Sequence, residues 1–470
     1  MATLSKKDIE YITSTGRRAE DVMAQIDILL KERRFIELDS AATVENGRIT
    51  RLNTSEFGGL QRLWKEKVAP HATKFIPASG AATRMFGFIA KVYSEGVENI
   101  KNASSPDFIK FWNALPTFPF YADLGTVLKK NGIDIEAERG AGRIRDIIKY
   151  LLEPCGLNYS NQPKLFLKFH IDNGNPRLAL EEHIKEAVWL TGGNIHFTVS
   201  EDVLDKAKHI AAELTERYAK KGHKISVSFS LQHKGTDVVA MVPGKDELHR
   251  NADGTLFFRQ GGHGALIGNL NLLKEDYILI QNVDNLPGGD EDILGWKRAF
   301  MGYFYKRLEA ERLNGLDRPL IVIAVVPNKG EPGGGPFVVR DKETGELSLQ
   351  VVEQVQIDTS DPGQKKILVS STHFSPVFMI LNSKDPFGKR FDLIKFGKKG
   401  FGYAFFTEKR DHKGDSFVSF DTGLWNGEMA EMFKVFVEMP IETFGPAKTV
   451  LDLSPDIRPF RKNPYKEIIA

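Results

Sequence analysis

Six short stretches of the sequence carry residue types that could do chemistry, and the first of them could handle phosphate. The first is Pro77-Ala78-Ser79-Gly80-Ala81-Ala82-Thr83-Arg84-Met85, between a predicted short strand from Lys74 to Ala78 and a helix beginning near Thr83. Small residues at such a turn let backbone N–H groups approach a polyphosphate at a helix N-terminus. Arg84 adds a planar fork of donors for phosphate oxygens. The same residues also suit a plain tight turn carrying a surface arginine. No G-x-x-x-x-G-K-S/T pattern occurs anywhere, which argues against a P-loop kinase.

The second stretch runs from Gln162 through Pro163-Lys164 to Phe169 and is followed by Glu181-Glu182-His183-Ile184. The third, Leu231 to Asp237, contains Gln232, Gly235 and Thr236. The fourth, Phe258 to Leu266, contains Gly262-His263-Gly264. The fifth, Ile280 to Asn285, puts Asp284 at the carboxyl end of an apolar strand, where ligands of open α/β sheets bind. The sixth, Phe444 to Leu453, carries Lys448. Each has an ordinary reading as well: Asp284 capping a strand end, Lys448 on a solvated loop, His263 in a glycine turn.

The elements that must position these stretches follow from apolar periodicity. Residues 7 to 36 read as amphipathic helix, with Ile9, Ile12, Val22, Ile26 and Leu29 at helical spacing. Strands are predicted at Ile195 to Val199, Ile225 to Leu231, Tyr277 to Val283 and Leu320 to Val326, with a helix from Val203 to Lys220. Nearly all-apolar strands separated by helices predict an α/β fold with a mainly parallel sheet covered on both faces. Phe86 to Leu152 reads as helix and loop without chemistry, and the text beyond Lys329 turns glycine-rich and then strand-rich. The expected layout is a helical segment at 1–73, a core domain at 74–330 with an insertion at 87–161, and a β-rich region at 331–470 that completes the site.

Bulk properties narrow the function classes. The chain has 470 residues, 41% hydrophobic and 27% charged, an ordinary globular balance. A formal charge of +2 gives no ground for nucleic-acid binding. The longest apolar run, Leu320 to Val326, is far too short to span a bilayer, and Met1 to Ile12 has no signal-peptide core. A cytoplasmic protein without membrane partners is expected. The single cysteine, Cys155, allows neither an internal disulfide nor a thiolate zinc site.

Taken in order, the six stretches resemble the sugar-1-phosphate nucleotidyltransferases with a GT-A-like Rossmann fold, and within them the UDP-glucose and UDP-N-acetylhexosamine pyrophosphorylases. Ala82-Thr83-Arg84 stands where that family has Gly-Thr-Arg, and Pro163-Lys164 where it has Pro-Lys. Gln232 with Gly235-Thr236 matches its base-reading Gln and Gly-Thr, and Gly262-His263-Gly264 its Gly-His-Gly near the nucleoside. Asp284 matches its strand-end metal ligand, and Phe444 to Leu453 its Phe-x-Pro-Val-Lys-Thr-x-x-Asp-Leu stretch, with Ala447 for the valine. The resemblance covers about residues 74 to 455, and the whole chain also looks like members of a domain-of-unknown-function family placed in that superfamily.

The resemblance implies conversion of a nucleoside triphosphate and a sugar 1-phosphate into a nucleotide sugar and pyrophosphate. It implies phosphate contacts from Arg84, Lys164 and Lys448, nucleotide contacts from Ser79, Gly80, Ala81, Ala82, Thr83, Gln232, Gly235, Thr236, Gly262 and His263, and Mg²⁺ (or Mn²⁺) on Asp284. Three departures stand out. Ala82 replaces a glycine; Pro163-Lys164 comes about eighty residues after Arg84, which makes Lys91 a rival for the lysine; and the second metal ligand has only Asp385 and Asp392 as candidates. A non-catalytic nucleotide- or sugar-binding protein on the same fold is the main alternative. A glycosyltransferase is another, although Asn285-Leu286 follows Asp284 where Asp-x-Asp would be needed. Neither the sugar, the base nor the oligomeric state can be read from the sequence.

Overall fold

A computed structural model describes residues 4–31, 35–80, 82–172, 174–287, 291–328, 334–397, 403–411 and 414–457. The chain is mixed α/β with a mainly parallel sheet and a β-rich C-terminal region. It divides into two compact units, each woven from separate segments: 1–56, 230–280 and 303–439 in one, 57–229, 281–302 and 440–470 in the other.

In the first unit, five strands lie in the order Ile49–Arg51, Phe433–Glu438, Leu320–Pro327, Phe378–Asn382, Tyr277–Gln281. Leu320–Pro327 and Phe433–Glu438 run parallel, as do Phe433–Glu438 and Ile49–Arg51, whereas Phe378–Asn382 runs antiparallel. Leu320 to Val326 is buried throughout, as an interior strand with both faces covered must be. Glu37–Ala41, Gly335–Arg340 and Leu347–Val352 form a separate antiparallel sheet. The predicted helix over 7–36 is two helices, Lys6–Ser14 and Ala19–Leu30, broken around Gly16-Arg17. A reciprocal Ser5–Asp8 capping box starts the first. Both helices pack Ile12, Val22 and Ile26 against Val239, Met241 and Leu256.

In the second unit, Ala72–Pro77, Asn194–Val199 and Ser226–Leu231 are neighbouring strands, the first two parallel. Helices Ala179–Leu190 and Leu204–Ala219 contribute Leu180, Ile184, Ala207 and Leu214 to the cluster against them. The 87–161 segment has no strand among its described residues and contributes five α-helices. Its aromatic stretch Phe118-Pro119-Phe120 is core: Phe108, Phe111, Phe118 and Phe120 pack together with Ala447, Val450 and Leu453. The sixth stretch is therefore seated on this helical layer.

His196 lies in the middle of its strand, its ring stacked on Phe75 at 5.8 Å and its Nδ1 2.8 Å from the Ser228 hydroxyl. Burial pushes the imidazole from 6.5 down to about 4, because the charged form is the one that loses hydration. The unfolded chain thus binds a proton between these values that the folded chain refuses, and stability must fall as pH drops through this window. At pH 5 the loss from this one group is about 2 kcal/mol. Urea denaturation from pH 7 to 4.5 should show a decline that includes this share, and His196→Gln should make it shallower by about that amount.

Candidate active site

Three of the stretches meet in the second unit. Lys164 opens a single 3₁₀ turn after Pro163, and its Nζ donates to Asp284 Oδ2 at 2.8 Å and to the Ala447 carbonyl at 3.1 Å. Lys448 Nζ reaches the same Asp284 oxygen at 3.4 Å. Asp284 is buried, Lys164 nearly so, and the Lys448 side chain is 49% exposed, so one ammonium is fixed and the other is free to follow a ligand. Burial alone would raise the Asp284 carboxyl, but the charges of Lys164 and Lys448 outweigh it and hold its pKa below the usual carboxylate value. Two ammonium groups against one carboxylate leave a net positive charge.

Backbone pairing sets this geometry. The Ala447 N–H donates to the Asp284 carbonyl at 2.8 Å, the Leu286 N–H to the Gly445 carbonyl at 3.1 Å, and Asn285 bridges Pro446. Lys448 is thereby held beside Asp284. Asp452 Oδ2 accepts the N–H groups of Lys448 and Thr449, both at 2.8 Å, which explains the Lys-Thr-x-x-Asp spacing as a capping box. Gly445 is required by close approach: a Cβ there would stand 2.3 Å from Pro287 Cα.

The first stretch joins them through the backbone. The Ala82 N–H donates to the Gln162 carbonyl at 3.0 Å, so Arg84 and Lys164 each lie two residues from a shared hydrogen bond despite their separation in sequence. This also withdraws the Ala82 N–H from the phosphate-binding part expected of it. Arg84 is exposed and has no partner among the described residues. Ser79 is half-buried and Gly80 exposed; Ala81 and the Thr83 side chain lie outside the described residues. Lys91, the rival lysine, is exposed and only 3.9 Å from Glu95, its neighbour one helical turn away.

Gln232, Gly235, Thr236, Gly262 and His263 belong to the first unit and gather there as a second group. Gln232 Nε2 donates to the Gly261 carbonyl at 2.8 Å, and the Thr236 hydroxyl to the His233 carbonyl at 2.6 Å. The Gly235 N–H donates to His233 Nδ1 at 3.0 Å, and the Gly262 N–H to Asp421 Oδ1 at 2.7 Å. His263 stacks on Trp425 with ring centres 4.3 Å apart, and its Nδ1 accepts the Leu424 N–H at 2.8 Å. Burial pushes this imidazole down to about 4, in keeping with an unprotonated Nδ1. A Cβ at Gly264 would strike the Thr422 carbonyl at 1.9 Å, so part of the Gly-His-Gly pattern answers to packing. Arg17, in the break between the two N-terminal helices, pairs with the Asp237 carboxylate, and Gln25 of the second helix donates to the Asp237 carbonyl, a link with no local signal in the sequence.

Beneath Asp284 lies a charge network that sequence reasoning missed. Lys74, fully buried in its strand, donates to Glu186 Oε2 at 2.5 Å and lies 2.9 Å from His183 Nδ1. Lys297 donates to the other oxygen of Glu186. Burial lowers Lys74 to about 8, and burial together with the charge of Lys74 holds His183 well below 6.5. The signal available was a lysine inside an apolar strand and a His183–Glu186 pair three residues apart on one helix face. Asp385, considered as a second metal ligand, accepts the N–H groups of Phe387 and Lys389, and Asp392 accepts from Asn271. Among the described residues no group of three His, Cys, Asp or Glu side chains is placed to hold a metal ion, and no helix is long and apolar enough to cross a membrane.

Residues 5–312 and 306–456 match the model described as domain of unknown function (DUF4301). The chain belongs to the DUF4301 family. No curated protein matches it. Among solved structures, this DUF4301 member is similar to the UDP-glucose pyrophosphorylase of Leishmania major at 12% identity and a TM-score of 0.50, covering 96% of this chain and 79% of that one. It is also similar to a UDP-glucose phosphorylase of Trypanosoma brucei at 14% identity and a TM-score of 0.51, covering 95% and 76%. At these identities the likeness shows a shared fold.

Gly445→Ala should drive the 444–448 backbone away from Pro287 and cost about 1–3 kcal/mol of stability, as overpacking does. A chemical denaturation midpoint equal to that of the parent would refute the close approach.

Proposed function

We propose that this protein joins a nucleoside triphosphate to a sugar 1-phosphate, giving a nucleotide sugar and pyrophosphate. The observation that carries the reading is the convergence of Lys164 and Lys448 on the buried Asp284 carboxylate, with Arg84, unpartnered among the described residues, tied to the same place through Ala82 and Gln162. The likeness of the fold to UDP-glucose pyrophosphorylase adds support.

A sugar phosphate is already ionised at neutral pH, so its oxygen can attack the α-phosphorus without a general base. The bond from the α-phosphorus to the bridging oxygen breaks as the new one forms, and pyrophosphate leaves with the electron pair. What remains for the protein is positioning and neutralisation of charge. Lys164 and Lys448 serve the sugar phosphate and the α-phosphate, while Arg84 and the turn N–H groups other than that of Ala82 serve the departing pyrophosphate.

Magnesium fits the donor set in one way. Asp284 is a single carboxylate with one oxygen shared by two ammonium groups, and magnesium binds through one or two carboxylates plus substrate phosphates and water. Asp284 would hold it together with the triphosphate, where it would neutralise phosphate charge.

Pyrophosphate release should be assayed across four nucleoside triphosphates and a panel of sugar 1-phosphates. Lys164→Met and Lys448→Met should each lower kcat/KM by about 10²–10³-fold, the usual effect of removing one transition-state donor. Silence of the parent protein with every pair removes the enzymatic reading. Asp284→Asn should also abolish the dependence of nucleotide affinity on magnesium, and a titration in which affinity still rises normally with the metal removes Asp284 as its ligand.

A further inference from the structure

The Glu181-Glu182-His183-Ile184 stretch has no part in the chemistry above, yet its histidine is wholly buried. Both ring nitrogens are engaged. Nδ1 faces Lys74 Nζ at 2.9 Å and Nε2 faces the Val283 carbonyl at 3.0 Å. An ammonium only donates and a carbonyl only accepts, so one neutral tautomer satisfies both: Nδ1 accepts and Nε2–H donates. Lys74 is itself held by Glu186, whose other oxygen takes Lys297. This buried side-chain network thus terminates on the main chain at the residue immediately before Asp284.

We propose that His183 is a positioning residue: anchored on Lys74, Glu186 and Lys297, it grips the Val283 carbonyl and so fixes where the Asp284 carboxylate stands between Lys164 and Lys448. Its consequence for turnover rests on the nucleotidyltransferase reading; its consequence for the backbone does not. Asp284 lies beyond the last strand residue, Gln281. Beyond it, Asn285 is held from the strand side by its N–H on the Asn282 carbonyl and by the Gln281 amide on its own carbonyl, and 284–286 pair with 445–447. The His183 bond is the one that holds the Val283 carbonyl, immediately before Asp284, and removing it frees that peptide group. A second set of groups that orients the residues touching a ligand commonly carries a tenfold to hundredfold effect when altered.

The test uses two substitutions of different reach. His183→Asn places an amide near the former Nδ1, keeping a partner for Lys74 while releasing Val283. His183→Gln extends an amide N–H toward Val283 and should restore the grip. Amide hydrogen exchange is followed by mass spectrometry in peptides covering 282–287 and 444–449, beside kcat and KM on the full-length protein. In His183→Asn, exchange in both peptides should quicken at least about tenfold, kcat should fall about tenfold or more with little change in KM, and His183→Gln should recover both. Combining His183→Asn with Asp284→Asn should add little further loss of kcat, because the two act as one unit. If His183→Asn does not fold, His183→Gln still decides: exchange quickened tenfold in this variant overturns the proposal. A parent protein without turnover removes the functional reading while the exchange result still judges the grip. Unchanged exchange in folded His183→Asn overturns the proposal whatever the enzyme does.

Discussion

Asp284 shares one carboxylate oxygen between Lys164 and Lys448, residues 120 and 164 positions away from it in the chain. That shared contact brings together the charged groups of three stretches that lie far apart in the chain. A carboxylate at a buried strand end would be protonated or disruptive if left alone, because desolvation penalises its charge. Two lysines reverse the balance, and Asp284 in turn makes their placement worthwhile. The backbone pairing of 284–286 with 445–447 supplies the rigidity that long lysine side chains lack.

The same device appears again one layer deeper, where Glu186 divides its two oxygens between Lys74 and Lys297. Buried ion pairs are poor sources of net stability, since dehydrating each charge offsets most of the attraction. Their geometry is demanding, however, and a wrongly placed partner leaves an uncompensated charge in the core. A network of this kind therefore selects one arrangement of strand, helix and loop over near alternatives. In this protein the selected arrangement ends at the main chain beside Asp284.

Much of the fold was legible because its strands carry local signals. Leu320 to Val326 is apolar throughout and Tyr277 to Ile280 nearly so, and they lie in the fully buried strands that such runs imply. Asp284 and Lys448 could be singled out because each stands next to such a run or inside a compact motif. The links between them could not be read, since they depend on partners far along the chain. Nothing local tells that the Ala82 N–H meets Gln162, that His263 lies on Trp425, or that a lysine in the Ala72–Pro77 strand has Glu186 waiting for it. The break at Gly16-Arg17 was overlooked because the apolar spacing continues across it and only the backbone changes direction.

The distances in sequence have a bearing on how the site comes into being. Contacts between residues more than a hundred positions apart form late in folding, because chain entropy must be lost before any of them stabilises the structure. The helices between Gly87 and Leu152 are local and can form early. The Lys448 tether cannot, for during synthesis its residue leaves the ribosome long after Lys164 and Asp284 have done so. Until then Ala447, Val450 and Leu453 are missing from the hydrophobic layer that receives them. A growing chain thus carries an unfinished core and an incomplete site together, and one segment of about ten residues, Phe444 to Leu453, closes both.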